Sequence, residues 1–209
     1  MNPKKWEKGT KFMAIAAAIY FLAFSSLSIL RHESFHSTAF DLGIFDQNVW
    51  IFSQGHNAVN TVNGFYPFAD HIQPILFITA IIYKLAASPN LLVALQAALI
   101  SLGAIPLYLI ARKKISQAGA AAFVAAYFLY PPTQFFTLFD FHTEAFLVPF
   151  LLFALYFLLE RKTKPMLAFL FLAGLTKEYI PGSNECRVTL ERIVSAGLFS
   201  GYSSRGLAG

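Results

Sequence analysis

Pro74-Ile75-Leu76-Phe77-Ile78-Thr79-Ala80-Ile81-Ile82-Tyr83-Lys84-Leu85-Ala86-Ala87 is a largely apolar stretch of 14 residues with one lysine near its end. A helix that spans a membrane needs about 20. Whether this piece crosses decides which loops share a membrane face. If it crossed, Arg112-Lys113-Lys114 and Arg161-Lys162-Thr163-Lys164 would both lie outside, against the tendency of lysine and arginine to stay in cytoplasmic loops. Length and charge agree. Residues 74–87 are therefore expected as a re-entrant or interfacial helix that returns to the outer side.

Composition requires the membrane in the first place. The chain has 209 residues, of which 56% are hydrophobic, 16% aromatic and 13% charged, with a mean hydropathy of +0.56. Soluble domains run near about 25% charged, so roughly half the usual charge is missing. The net charge of +5 would suggest nucleic acid only if the basic groups shared one soluble face. They fall instead between apolar runs, at Lys4, Lys5, Lys8 and Lys11 and in the two clusters above. The expected surrounding is the lipid bilayer, with no nucleic-acid partner. The single cysteine, Cys186, leaves no internal disulfide and no cysteine-based metal cluster.

Working outward from 74–87, five spans are expected, at about 12–30, 90–111, 118–138, 145–160 and 166–176. The first follows four lysines and ends at Leu30-Arg31-His32. It is longer than the apolar region of a signal peptide and lacks a small-residue cleavage site, so it reads as uncleaved, with a cytoplasmic N-terminus. Pro131-Pro132 stands near the outer end of the third span, where the backbone it frees must meet water or protein. Tyr127, Tyr130 and Tyr156 suit an interfacial belt. From Tyr179 the character changes, with a breaker cluster Pro181-Gly182-Ser183-Asn184 and a tail rich in Gly and Ser. Residues 1–178 are expected as one transmembrane domain, and 179–209 as an irregular tail from a frameshifted or truncated gene.

The outer loop 31–73 holds most of the chemistry, including Asp41, Asp46 and Asp70 and four of the five histidines. Asp41 and Asp46 flank the apolar turn Leu42-Gly43-Ile44-Phe45. As carboxylates among aromatics they can act as a general base or bind a divalent cation. Asp41 can equally cap a helix that begins at Leu42. His71 precedes Gln73-Pro74, with Pro74 suited to a first helical turn. Asp140, His142 and Glu144 form a second outer cluster, and Lys177 with Glu178 a third. Glu144 can instead serve the helix dipole of the fourth span, and Lys177 and Glu178 can simply pair. Gln96, inside the second span, reads as a helix-to-helix hydrogen bond.

His32-Glu33-Ser34-Phe35-His36 matches H-E-x-x-H, which on a helix can hold zinc with the glutamate as base. The third ligand is missing. Positions 39 and 42 are Ala39 and Leu42 rather than glycine and histidine, and no glutamate occurs between Glu33 and Glu144.

Taken together, Ser34-Phe35-His36, Phe40-Asp41-Leu42-Gly43-Ile44-Phe45-Asp46-Gln47, Asn48-Val49-Trp50, His71 with Gln73-Pro74, Leu95-Gln96, Phe141-His142-Thr143-Glu144 and Thr176-Lys177-Glu178 resemble a family of bacterial and archaeal predicted membrane proteins of unknown function. That family is distantly similar to the GT-C superfamily, which includes protein mannosyltransferases and the lipid A aminoarabinose transferase. The resemblance covers residues 12–178. It implies a multi-span enzyme that uses a polyprenyl-phosphate-linked sugar, with Asp41 at the position of the first-loop acid. His71 and Pro74 then resemble the entry to a juxtamembrane helix, and Asp140 or Glu144 the second-loop acid. Asp-Leu-Gly stands here where transferases commonly have Asp-Glu, and relatives continue with further spans.

The expected fold is all-α, a polytopic transmembrane helix bundle in the plasma membrane. The expected function is transfer of a sugar from a polyprenyl-phosphate donor at the outer face. Asp41 and Asp46 are the catalytic candidates, and His71, Asp140, His142, Glu144, Lys177 and Glu178 the substrate-binding ones. The rivals are a non-catalytic transporter or assembly subunit and the zinc protease.

Overall fold

Two helices in the computed structural model, which describes residues 3–177, are long and apolar enough to cross a membrane. They are α1 (Pro3–Glu33), apolar from Gly9 onward, and α4 (Pro89–Lys114). At about 1.5 Å per residue each exceeds the roughly 30 Å hydrocarbon thickness. The remaining elements are α2 (Asp41–Ser53), α3 (Ile75–Tyr83), α5 (Gln117–Leu129), α6 (Pro131–Leu138), a 3₁₀ turn (Thr143–Phe146), α7 (Leu147–Leu159) and α8 (Thr163–Gly174). Among the described residues there is no strand.

Local chemistry sets the breaks. Ser88 accepts from the Asn90 N–H at 3.2 Å, and Pro89 opens α4 where its missing N–H costs nothing. Arg112, Lys113 and Lys114 close that helix at its negative end. Ser116 caps α5 by accepting from the Gly119 N–H at 3.1 Å. The stretch read from sequence as one span at 118–138 is two helices. Pro131 cannot donate, and Tyr130 before it is extended at φ −67°, ψ 117°. The Gln134 side chain donates to the Phe128 carbonyl at 2.9 Å across the break, so the freed backbone meets protein.

α4 is the axis of the bundle: α1, α5, α6 and α7 all rest on it, and α8 pairs with α7. Gly9 of α1 leaves no room for a Cβ against Tyr108 and Gln117. One core cluster joins Met13, Tyr20, Ile100, Tyr108, Val124 and Phe128. A second joins Leu42 and Val49 of α2, Ile75 and Leu76 of α3, Leu92 of α4, and Phe141.

α3 has nine residues, about 13.5 Å of helix and less than half the hydrocarbon thickness. It buries Ile75, Leu76, Thr79, Ala80 and Tyr83 and exposes Phe77 and Ile81. The Ile75 N–H donates to the Leu175 carbonyl past the end of α8, at 2.9 Å. Asn90 at the start of α4 donates to Glu33 at the end of α1, at 2.7 Å. The bundle therefore has one end that gathers the ends of α1, α6 and α8, α2, α3 and the start of α4. At the other end Lys113 pairs with Glu160.

Candidate active site at one end of the bundle

α1 stops at Glu33, and the chain reverses through Phe35 at φ +60°. His32 and His36 are thus not one turn apart on a helix face. His32 Nδ1 is 2.6 Å from Ser37 Oγ. This turn brings Thr38 back beside the last residues of α1. The Thr38 N–H and hydroxyl each donate to Asp140 Oδ2 at 2.8 Å, and Arg31 Nη1 donates to Asp140 Oδ1 at 2.6 Å. Asp140 is wholly buried. Desolvation alone would push its carboxyl up, but Arg31 and the two Thr38 donors outweigh that and hold it below the usual carboxylate range.

Thr38 also touches Asp41, its hydroxyl oxygen lying 3.3 Å from Asp41 Oδ2 and accepting from the Asp41 N–H at 3.3 Å. Asp41 is the first residue of α2, and its side chain is 36% exposed. Its Oδ1 lies 4.0 Å from His142 Nε2. The imidazole sits between the rings of Phe45 and Phe139, at 5.4 and 5.3 Å. Its Nδ1 is 2.8 Å from the Asp140 carbonyl oxygen, and the His142 N–H donates to Gln96 Oε1 at 2.9 Å. Glu144, in the 3₁₀ turn, pairs with Lys177 at 2.7 Å. Burial opposes the Glu144 charge, yet Lys177 and the nearby His142 hold its carboxyl below the usual range.

The structure thus brings Asp41, Asp140 and His142 together, with Glu144 and Lys177 alongside. Asp46 points elsewhere, taking the Tyr83 hydroxyl at 2.6 Å. Burial pushes the Asp46 carboxyl up, against the smaller opposing pull of Tyr83 and His32, and burial likewise raises the Tyr83 hydroxyl. Asp46 lines a cleft of about 360 Å³ with His32, Glu33, Phe35, Thr38 and Leu42. His71 stands beside Asp70, with Nε2 and Oδ1 4.0 Å apart. Glu178, and the tail from 179 onward, lie outside the described residues.

Sequence reasoning missed Arg31, Thr38 and Tyr83, and saw in Gln96 only a bond between helices. Thr38, three residues before Asp41, carried the one local signal, since a hydroxyl at that spacing reaches back to the acid's own backbone. For a divalent cation, Asp41 and His142 supply two donors where they meet. Among the described residues no three His, Cys, Asp or Glu side chains converge closely enough to hold a metal ion.

Residues 31–180 match a family model described as "Predicted membrane protein (DUF2079)". No curated protein and no solved structure matches the chain.

Proposed function

This chain belongs to the DUF2079 family of predicted membrane proteins, and we propose that it is a membrane glycosyltransferase of the GT-C kind. It takes a sugar from a polyprenyl-phosphate donor at the bundle end that carries Asp41. The basic clusters at the opposite end support an orientation with that face outside, in the plasma membrane, and the N-terminus cytoplasmic. In this reading α1, α4, α5 with α6, α7 and α8 make the five crossings.

One observation carries the reading. Asp140 is matched by Arg31 and Glu144 by Lys177, while Asp41 has neither an arginine nor a lysine partner among the described residues and faces His142. A carboxylate left open beside an imidazole forms with it a pair suited to act on a substrate hydroxyl. The lipid phosphate would leave toward the Lys177 ammonium, which stands beside Glu144 at 2.7 Å. Asp46, already taken by Tyr83, belongs to the wall of the cleft rather than to the reaction.

The test is release of labelled polyprenyl phosphate from polyprenyl-phosphate-linked sugars by the chain in lipid nanodiscs. Asp41→Asn is expected to lower that release by about 10²–10⁴-fold. Undiminished release would remove Asp41 from the chemistry.

A second reading, a non-catalytic protein that binds lipid or a partner, is favoured by the apolar face of α3, with Phe77 51% and Ile81 70% exposed. Donor binding without any turnover would select it.

A further inference from the structure

The bonding around His142 determines which ring nitrogen is open. Nδ1 lies 2.8 Å from the Asp140 carbonyl oxygen. A carbonyl only accepts, so Nδ1 carries the hydrogen. In the neutral ring Nε2 is then a bare acceptor, and it is the nitrogen that faces Asp41 at 4.0 Å. A substrate hydroxyl that enters here has one hydrogen to donate, and Nε2 is an acceptor open to it.

The segment that carries the Asp140 carbonyl is itself anchored. Gln96 of α4 is wholly buried. Its Nε2 lies 2.8, 3.0 and 3.4 Å from the carbonyl oxygens of Phe136, Phe139 and Asp140, and its Oε1 accepts the His142 N–H at 2.9 Å. One side chain thus anchors the segment that carries the Asp140 carbonyl, chiefly through the Phe136 and Phe139 carbonyls, and the backbone from which the ring hangs. Such an outer partner is what keeps a catalytic imidazole in one orientation.

We infer that His142 Nε2 is the proton acceptor of this site, that Asp41 stabilises the imidazolium formed, and that Gln96 is the positioning residue for the imidazole. This rests on the transferase reading. The acceptor's O–H bond breaks and its proton goes to Nε2. The freed oxygen pair forms the bond to the anomeric carbon, and the bond from that carbon to the lipid phosphate breaks, the phosphate leaving with its electron pair. The imidazolium is then held at both nitrogens, Nδ1–H on the Asp140 carbonyl and Nε2–H toward Asp41, until it returns its proton to water or phosphate. Among the described residues, the other charges beside the ring are Asp140, bound by Arg31, and Glu144, bound by Lys177. Of the carboxylates described there, Asp41 is the one left to answer a new positive charge.

Nitrogen NMR of the ¹⁵N-histidine-labelled chain in nanodiscs reads the tautomer directly, with His142→Gln assigning one signal among the five histidines. The expected neutral form has Nδ1–H and a bare Nε2; a neutral Nε2–H form overturns the inference. Gln96→Leu is expected to lower the Nδ1–H fraction by about half or more, and an unchanged spectrum removes Gln96 from the positioning role. His142→Gln is expected to lower polyprenyl phosphate release by about 10²–10⁴-fold. Full release by that variant overturns the base assignment and leaves the transferase reading standing. No release by the unaltered chain overturns both, whatever the tautomer.

Discussion

Arg31 and Asp140, 109 residues apart in the chain, meet at 2.6 Å where the aspartate side chain is wholly buried and the arginine 30% exposed. Removing one partner of such a pair strands the other without compensation. Arg31→Leu is expected to cost about 3–5 kcal/mol, and the double change Arg31→Leu with Asp140→Leu less than Arg31→Leu alone. Because the folded Asp140 holds its proton more weakly than the unfolded one, its contribution is present above the ordinary carboxylate pKa of about 3.9 and is lost as pH falls through the lowered value. Thermal unfolding in detergent against pH checks both points: the unaltered chain keeps its midpoint down to mild acid, and Arg31→Leu loses stability already at neutral pH.

Asp46 has the opposite sign. Burial raises its folded pKa, so the fold binds that proton more tightly than the unfolded chain does. Its ionisation costs stability as pH rises from about 4 through the raised value. Asp46→Asn keeps an oxygen for the Tyr83 hydroxyl and removes the buried charge. It is expected to unfold at the same or a higher temperature at pH 7, with a flatter pH profile. Tyr83→Phe instead deprives the carboxylate of its donor and is expected to cost about 1–3 kcal/mol. Under the proposed function, Asp46→Asn also retains turnover that Asp41→Asn loses.

Two glycines in helices separate packing from propensity. A Cβ on Gly103 of α4 would lie 2.8 Å from the Tyr127 hydroxyl and 3.1 Å from Val148, and Tyr127 is tethered to the Ile100 carbonyl at 2.8 Å. Gly103→Ala is expected to destabilise by about 1–3 kcal/mol. A Cβ on Gly43 of α2 meets only Val62, at 3.7 Å. Gly43→Ala is expected to gain up to about 1 kcal/mol from helix propensity. The same melting experiment reads both.

Residues whose meaning is local were legible in the sequence, and residues that act through a distant partner were not. Apolar length marks α1 and α4, and Pro131 marks a break, although 118–138 read as one span because a proline's effect on a helix depends on what receives the freed carbonyl. Loop placement predicts that the outer loops carrying Asp41, His71 and Asp140 share one face; it does not predict that His142 is the group to meet Asp41 while His71 stands beside Asp70. The roles of Arg31, Thr38 and Gln96 depend on the segment 136–142, from the end of α6 into the turn that follows, packing against the end of α1 and against α4, and no spacing or periodicity encodes that meeting. Asp46 looked like a twin of Asp41 in the same turn. Their environments separate them: Asp46 lies further along α2 and meets a tyrosine on α3.

The end-to-end arrangement makes a last, direct prediction. α3 is too short to cross, and Asn90 meets Glu33, so the loop 31–73 and the start of α4 lie at one end of the bundle. Lys113 closes α4 on Glu160 at the other. With Cys186→Ser as background, cysteines at His56 and Lys113, both exposed, are expected to react with a membrane-impermeant thiol reagent from opposite sides. If the basic clusters are cytoplasmic as proposed, His56→Cys reacts in intact cells and Lys113→Cys only after the membrane is opened. Labelling of Lys113→Cys from outside, with His56→Cys silent, would invert the orientation and place the Asp41 site in the cytoplasm. Labelling of both from one side would mean that α4 does not span, and the bundle would lose the axis on which α1, α5, α6 and α7 rest.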